Sequence, residues 1–433
     1  MLKAISLYTG VGGLDLGFEV AGFRTAVAID MDPVACRTIR LNRRWPILEG
    51  NIDQISSDMI LDAAGLKPGE ADVLIGGPPC QPFSKAAYWA NGDARRLDDP
   101  RADTLTAYLR VLRDTKPRAF LLENVLGLAY KGKDEGLKHL QLGLAEVNRQ
   151  AGTRYEIHWT KLNAAGFGVP QIRERVFLVG SRDGRPFDFP ACTHAQAADG
   201  KLFENGLEPY RTAWDAIGDL PARPNDPALA LRGKWADLLP TIPEGQNYLW
   251  HTNRGGGLSL FGWRRRFWSF LLKLAKDQPS WTIQAHPSLD TGPFHWTNRK
   301  LSAREFCRIQ TLPDGLVFDC SHGDVQRLLG NAVPSLLAEV LARAIEAQLL
   351  DHGPPKQKLH LLPPVRRPVP APEPLLELPS KYRIYIGDHP DHPGPGLGAG
   401  ARRWAKNGHE GQETSPAHSL NGSAVAPRLL LDE

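Results

Sequence analysis

One cysteine, one glutamate and two arginines sit where a chain commonly presents reactive side chains. Cys80 lies in Gly77-Pro78-Pro79-Cys80-Gln81-Pro82-Phe83-Ser84, directly after an apolar, strand-like run. The prolines around it stiffen the loop, because each pyrrolidine ring locks φ. A lone cysteine is usually a small buried hydrophobe. A proline-framed cysteine at the carboxyl end of a strand has the character of a positioned nucleophile. Glu123-Asn124 closes another strand-like run, so its carboxyl group can face the same cleft; the ordinary alternative is a surface ion pair. Arg173 and Arg175, in Gln171-Ile172-Arg173-Glu174-Arg175, share one side of an extended segment. Two guanidiniums on one face suit phosphate or carboxylate binding; otherwise they form a solvated strand edge.

A second group of residues has the chemistry of a nucleotide site. Gly10-Val11-Gly12-Gly13 stands between a strand-like and a helix-like run. Glycines there let the backbone approach a ligand, and the helix start offers free N–H groups. Asp30 ends the next strand, where a carboxylate commonly takes a ribose hydroxyl pair; the competing role is a helix cap, which Asp32 fits equally. Together these residues point to an adenosine-containing cofactor without separating a dinucleotide from S-adenosylmethionine. The spacing is not GxGxxG, which disfavours a dehydrogenase.

The elements that must position these groups alternate. Lys3–Tyr8, Thr25–Ile29, Ala71–Ile75, Arg118–Glu123, Tyr155–Leu162 and Arg175–Gly180 read as strands. Helical patterns follow Gly13, run from Pro33 to about Asn42, and cover Thr104–Arg113. Such alternation predicts an α/β fold, a doubly wound and mostly parallel sheet that binds ligands at the carboxyl ends of its strands. From about Ser181 to residue 297 the chain is rich in Pro, Gly, Trp and His with weak periodicity. A strong amphipathic helix is expected over Pro334–Leu350. Residues 352–433 are Pro-rich and then Gly- and polar-rich, and are expected to form a disordered tail, with Tyr382–Ile386 as a possible short strand.

Composition narrows the class. The 433 residues carry 52 Lys and Arg against 48 Asp and Glu, so net charge does not identify a partner. Hydrophobic residues make up 42%, enough for a packed core, and at about 100–200 residues per domain two to three units are expected. No apolar run reaches the ~18 residues of a membrane span, and the N-terminus lacks a signal-peptide pattern. Five cysteines without CxxC spacing speak against a disulfide framework or a metal cluster. A cytoplasmic protein is expected.

Taken in order, the motifs resemble those of the DNA cytosine-5 methyltransferase family over residues 4–348. The Gly10–Gly13 loop resembles its cofactor motif, with Tyr8 where Phe is usual. Gly77–Ser84 is similar to its PCQ motif, Glu123-Asn124-Val125 to ENV, and Gln171–Arg175 to QxRxR. Arg299-Lys300-Leu301-Ser302-Ala303-Arg304-Glu305, with Arg308, Gln310, Pro313 and Asp314, resembles the RxLTxRExxRxQxFPD segment, and Gly330–Pro334 the GNAVP motif. Asn51 departs from the pattern: Gly50-Asn51-Ile52 replaces Gly-Asp-Ile, so an amide stands where a carboxylate would take the adenine amino group.

The resemblance implies an S-adenosyl-L-methionine-dependent, Rossmann-like catalytic domain over 1–180, completed by 298–351, with a target-recognition domain over 181–297. It implies a cofactor site of Tyr8, Gly10, Gly12, Gly13, Asp30, Met31, Asn51, Ile52, Pro78, Asn331 and Ala332. Cys80 would be the nucleophile at cytosine carbon 6, Glu123 the proton donor, and Arg173 and Arg175 its support. Pro79, Gln81, Ser84 and Asn124 would meet the substrate base.

Double-stranded DNA is the implied partner. The seven Lys and Arg between Gly255 and Lys300 (Arg264, Arg265, Arg266, Lys273, Lys276, Arg299, Lys300) are interleaved with Trp263, Phe267, Trp268 and Trp281. They suit phosphate contact and groove insertion, or else an aromatic core with a solvated basic face. His251, Asn253, Arg254, Gln284 and Asn298 have base-reading chemistry. The absence of a region before the cofactor motif resembles bacterial restriction–modification enzymes. A restriction–modification context with a cognate endonuclease on the same site is therefore expected, and a monomer is expected because one subunit contains every motif. A tRNA methyltransferase would carry a Cys-Phe-Thr signature, which is absent here, and an inactive homologue would lack one of Cys80, Glu123, Arg173 or Arg175.

The sequence predicts that Cys80→Ala abolishes methyl transfer and leaves cofactor binding near normal. Activity and cofactor-binding assays check this; substantial residual activity removes Cys80 as nucleophile.

Overall fold

The computed structural model describes residues 1–79, 103–129, 135–196, 206–223, 226–263, 266–351, 353 and 358–387. Among the described residues the strands are β1 Leu2–Leu7, β2 Phe23–Asp30, β3 Ile47–Glu49, β4 Val73–Gly76, β5 Ala119–Asn124, β6 His158–Asn163, β7 Gln171–Ile172, β8 Glu174–Ser181, β9 His194–Ala195, β10 Glu208–Pro209 and β11 Ser280–Trp281. The described α-helices are α1 Gly13–Ala21, α2 Pro33–Asn42, α3 Ser57–Ala64, α4 Asp103–Thr115, α5 Glu135–Ala151, α6 Ala213–Ile217, α7 Ala303–Ile309, α8 His322–Asn331 and α9 Ser335–Leu349.

The main sheet has seven strands in the order β3-β2-β1-β4-β5-β8-β6. The first five run parallel, and β8 is antiparallel to both β5 and β6. Its central strands are apolar on both faces, as a sheet covered on both sides requires. Side chains alternate between two cores. Ile5, Leu7, Leu74, Phe120 and Leu122 face a cluster shared with α3, α4 and α5. Ala4, Val73, Ile75, Ala119 and Leu121 face one shared with α1 and α9. Strand order reverses between β1 and β4, so the loops after these two strands flank the crevice where doubly wound sheets take ligands.

Helix starts follow local chemistry. Asp32 caps α2, its side chain accepting from Val34 N at 3.0 Å, and Pro33 fills the first turn. The stretch His322–Leu349 is apolar and long enough to span a membrane, yet it is two helices broken at 332–334 and buried in the core.

The segment 181–297 divides its packing. Ala213, Ile217, Leu274, Ile283 and Trp296 join a third core with Leu16 of α1 and with α7 and α8. A fourth core, built around Trp235, Tyr248, Phe261 and Phe270, forms a small lobe. This lobe has little regular structure beyond 3-10 turns at Ala236–Thr241 and Tyr248–His251.

The expectation of an unstructured tail after residue 351 does not hold for 358–387. Leu359, Leu361 and Leu362 pack on the sheet's second core, and Tyr382 is buried in the small lobe. Proline excludes helix and ladder hydrogen bonds but not burial of the apolar side chains between prolines. Composition alone therefore misjudges such a segment. Ser380–Tyr385 is a 3-10 turn rather than a strand. Residues 388–433 lie outside the described part.

Asp15 of α1 is fully buried and accepts from Ser6 Oγ at 2.9 Å and Thr25 Oγ1 at 3.0 Å. Burial pushes its carboxyl group up to about 7, against those hydrogen bonds. The unfolded chain releases this proton near pH 4 and the folded one near 7. Stability therefore falls with rising pH across that window, by on the order of 1.4 kcal/mol per pH unit, and is level above it. Asp15→Asn should remove this component; urea titrations at pH 5 and 7.5 check it, and an unchanged pH profile refutes it.

Candidate active site

The sheet's carboxyl edge gathers the polar residues. Glu123 stands near the end of β5, opposite Phe177 of β8. Its side chain is 11% exposed, and Oε1 lies 3.0 Å from Arg175 Nε. Burial raises the Glu123 proton affinity above the usual carboxyl value, while the charges of Arg175 and Arg173 oppose that rise. The Glu123 carboxyl group therefore holds a proton more readily than a free carboxyl group, beside a fixed cation. A side chain at position 77 would collide with this group: a Cβ there would lie 2.9 Å from Glu123 Oε2. Glycine before the two prolines therefore leaves room for the carboxyl group.

Arg173 is anchored rather than free. It is buried, and its guanidinium donates to the Gly330 carbonyl at 2.8 Å. Its N–H donates to Asn163 Oδ1 at 3.2 Å, an oxygen that also accepts from Ala165 N. Gln171 Nε2 donates to Gln310 Oε1 at 3.0 Å, and Gln310 donates to the Leu329 carbonyl. Three of the motif segments thus converge beneath Glu123. Asn163, missed by sequence reasoning, carries no signal beyond its place at the end of a strand.

Asn124 is 1% exposed, and its amide donates to the Pro78 carbonyl at 3.3 Å. It braces the loop after β4. Pro78 is buried and Pro79 exposed. Cys80, Gln81 and Ser84 lie outside the described residues.

On the other side of the crevice, β1, β2 and β3 end side by side, with Thr9 N donating to Ile29 O and Gly50 N to Asp30 O. Asp30 accepts from Gly10 N at 2.7 Å and Asp32 N at 2.8 Å, so it shapes the glycine loop, and burial raises its pKa. Gly10, at φ 58°, opens onto free space, whereas a Cβ on Gly13 would strike the Val333 carbonyl. Met31 is 67% exposed. Asn51 is exposed, its Oδ1 accepting from Asp53 N at 3.1 Å, and Ile52 beside it is buried. Tyr8 donates from its hydroxyl to Thr104 O at 2.7 Å. Asn331 is exposed and Ala332 buried. The open loop, the exposed thioether and the nearby carboxylate and amide fit a nucleoside: one apolar surface for a base, with polar groups for hydroxyl and amino hydrogens.

The expected basic face is partly interior. Lys273, Lys276 and Arg299 are buried, Arg299 donating to Glu305 at 2.8 and 2.6 Å. Arg264 and Arg265 lie outside the described residues. Phe267 and Trp268 are 56% and 47% exposed, and Trp268 meets Trp281 of β11 edge-on, with centroids 5.4 Å apart. Strand β11 pairs with β7, setting these aromatics beside the arginine-bearing segment. Among the base-reading candidates, His251 is buried between Thr241 and the Leu258 carbonyl and is not presented to a ligand. Asn253, Arg254 and Gln284 are exposed, and Asn298 is partly buried.

A seven-stranded doubly wound sheet with a glycine loop after β1, an acid ending β2 and a buried carboxyl–guanidinium pair at the end of β5 is a frame suited to an adenosine-containing cofactor. Residues 2–347 match the model of the family described as C-5 cytosine-specific DNA methylase. The chain is 41% identical over 372 residues to the Type II methyltransferase M.SacI of Streptomyces achromogenes, covering 80% of this chain and 93% of that protein. It is 45% identical over 236 residues to the Type II methyltransferase M.AquIA of Picosynechococcus, covering 53% and 93%. The solved structure of a Spodoptera frugiperda DNMT2 mutant superposes with a TM-score of 0.54 at 17% identity, covering 80% of this chain and 99% of that one, a likeness of fold. The chain belongs to the C-5 cytosine-specific DNA methylase family. It is a DNA cytosine-5 methyltransferase of the Type II restriction–modification kind, with DNA as substrate and S-adenosyl-L-methionine as methyl donor.

Removing Arg173 leaves a buried carbonyl and the Glu123 environment uncompensated. Arg173→Ala should cost about 3 kcal/mol or more of stability, and Arg175→Ala, whose side chain is 18% exposed, about 1–2 kcal/mol. Chemical denaturation of both variants checks the contrast; equal losses refute it.

Proposed function

We propose that this enzyme methylates carbon 5 of a flipped-out cytosine within a specific DNA sequence through a covalent Cys80 adduct. The observation that carries this reading is the buried Glu123 paired with Arg175 and within the field of Arg173, directly beside the Gly77–Pro79 loop that leads to Cys80.

Carbon 5 of cytosine is a weak nucleophile. The Cys80 thiolate adds to carbon 6, and the displaced electron pair moves toward ring nitrogen 3. Glu123 delivers a proton there, which its raised proton affinity favours. Arg175 and Arg173 hold the carboxyl group in place and carry its charge once the proton has left. Carbon 5, now enamine-like, is reactive toward the methyl sulfonium that S-adenosyl-L-methionine supplies when bound. A base takes the carbon 5 proton, the carbon 5–carbon 6 double bond re-forms as the Cys80 thiolate leaves, and nitrogen 3 returns its proton to Glu123. The Pro79 carbonyl selects cytosine by accepting from its amino group. Neither carbon is reachable in a stacked duplex, so the base leaves the helix.

The residues at the ends of β1–β3 would hold the cofactor: Gly10, Gly12 and Gly13 would let the backbone approach it, Asp30 would take a ribose, Met31 would cover a purine, and Asn51 would accept from an adenine amino group without a charge. Residues 1–180 and 298–351 form the catalytic domain, and 181–297 the recognition domain, with Phe267, Trp268 and Arg266 toward DNA. The enzyme works as a cytoplasmic monomer and protects host DNA from an endonuclease that cuts the same sequence.

Tritiated S-adenosylmethionine with genomic DNA and, in parallel, tRNA tests the reading. We expect 5-methylcytosine in DNA alone, and a loss of about 10²–10⁴ in rate for Glu123→Gln. Label in tRNA alone overturns the DNA assignment, and full activity of Glu123→Gln overturns the proton-donor role.

A further inference from the structure

Residues 358–387 lie beyond the matched family span, which ends at 347, and they touch both parts of the molecule. At the sheet, the fully buried Glu339 of α9 accepts from His360 N at 2.8 Å and Leu361 N at 3.0 Å. Midway, Arg366 N donates to the buried Asp215 at 2.7 Å, and the Arg366 guanidinium pairs with Asp219 at 2.9 Å. At the small lobe, the buried Lys276 donates to Glu373 and to the Ala371 carbonyl, each at 3.0 Å. Tyr382 then stacks on Trp235, with centroids 5.6 Å apart and planes 13° from parallel, and its hydroxyl donates to Lys234 O at 2.8 Å.

The anchors on the body are interior groups: a carboxylate of α9, a carboxylate of α6 and a lysine of the small lobe. Lifting the segment removes one set of partners from each, leaving Glu339 to Arg343, Asp215 to Thr212 and Lys276 to Glu244, and every hydrogen bond lost to a buried charge is costly. An extended chain pinned at several points along its length resists change in the separation of those points. It is therefore a structural tie between the sheet and the small lobe, built from this chain's own extension.

We propose that residues 358–387 are a brace that fixes the small lobe at one opening over the active-site crevice, and thereby sets DNA affinity and sequence discrimination without entering the chemistry. This rests on the reading of the small lobe as the DNA-recognition unit. A lobe that samples several openings binds DNA only in its competent fraction, so apparent affinity falls by that fraction. Non-cognate sequences gain access to openings that the brace excludes, so discrimination falls as well.

The test uses full-length Tyr382→Ala and Glu373→Ala, with Tyr382→Phe as the conservative variant that keeps the stacked ring. Methylation of cognate and single-mismatch duplexes is measured, with hydrogen exchange over 376–386 reporting release of the segment. We expect the DNA KM to rise on the order of tenfold in the alanine variants, kcat and cofactor affinity to stay within about twofold, and mismatch methylation to increase. Tyr382→Phe should follow wild type. Release of the segment with DNA KM and discrimination unchanged overturns the brace, as does a joint fall of kcat, cofactor affinity and DNA affinity, which marks a general folding role. Trp268→Ala separates the two readings. If it raises the DNA KM while the brace variants do not, the brace alone fails. If it too leaves DNA affinity unchanged, the recognition reading beneath it fails.

Discussion

A carboxyl group taken out of water must keep its proton or be matched by fixed cations. Glu123 is buried beside fixed cations, and much of the sheet's carboxyl edge is arranged around it. Its neighbour Arg175 comes from β8, an antiparallel strand inserted beside β5 in an otherwise parallel run. Arg173 is held by the Gly330 carbonyl at the far end of the domain. Gln171 and Gln310 tie the same segments together, and Gln310 reaches the Leu329 carbonyl. Motifs scattered from 123 to 330 in sequence are thus one assembly, because a charged group buried in isolation would not persist.

The other side of the crevice depends on close approach rather than charge. Helices α1 and α9 touch through Gly13 and Gly17, where any Cβ would strike the Val333 or Ser335 carbonyl. Ser335 Oγ donates to Gly13 O at 3.0 Å and locks the contact. The glycine loop therefore takes its position from α9 behind it and from Asp30 in front. Motifs from the two ends of the matched span thus meet at one backbone contact.

These two constraints explain what was legible in the sequence. The strands read from apolar runs appear with their ends shifted by a few residues, and Pro33–Asn42 is a helix with Asp32 as its cap. Periodicity and capping are local, so sequence carries them. The pairing of Glu123 with Arg175 was legible only as two candidates, since nothing local says that β8 lies against β5. Asn124 has substrate-like chemistry but holds the Pro78 carbonyl, a contact across 46 residues. His251 has base-reading chemistry and is spent on Thr241 and Leu258. Residue type states what a group can do; burial decides what it is available for.

Charge reading fails in and beside the small lobe for a related reason. Lys273, Lys276 and Arg299 look like a DNA-facing stripe, yet all three are interior. Lys276 is neutralised by Glu244 at 2.6 Å and by Glu373 from the extension. Arg299, outside the lobe beside α7, forms a two-point pair with Glu305, which also caps that helix. A lobe with few ladders cannot rely on backbone pairing for its shape, so it uses an aromatic centre and buried ion pairs instead. Basic residues consumed in that way leave a smaller exposed cationic surface. The exposed Phe267 and Trp268 beside β11 then become a larger share of what the lobe presents. Because one of those ion pairs recruits Glu373, the lobe's internal architecture and its tie to the sheet are the same set of contacts.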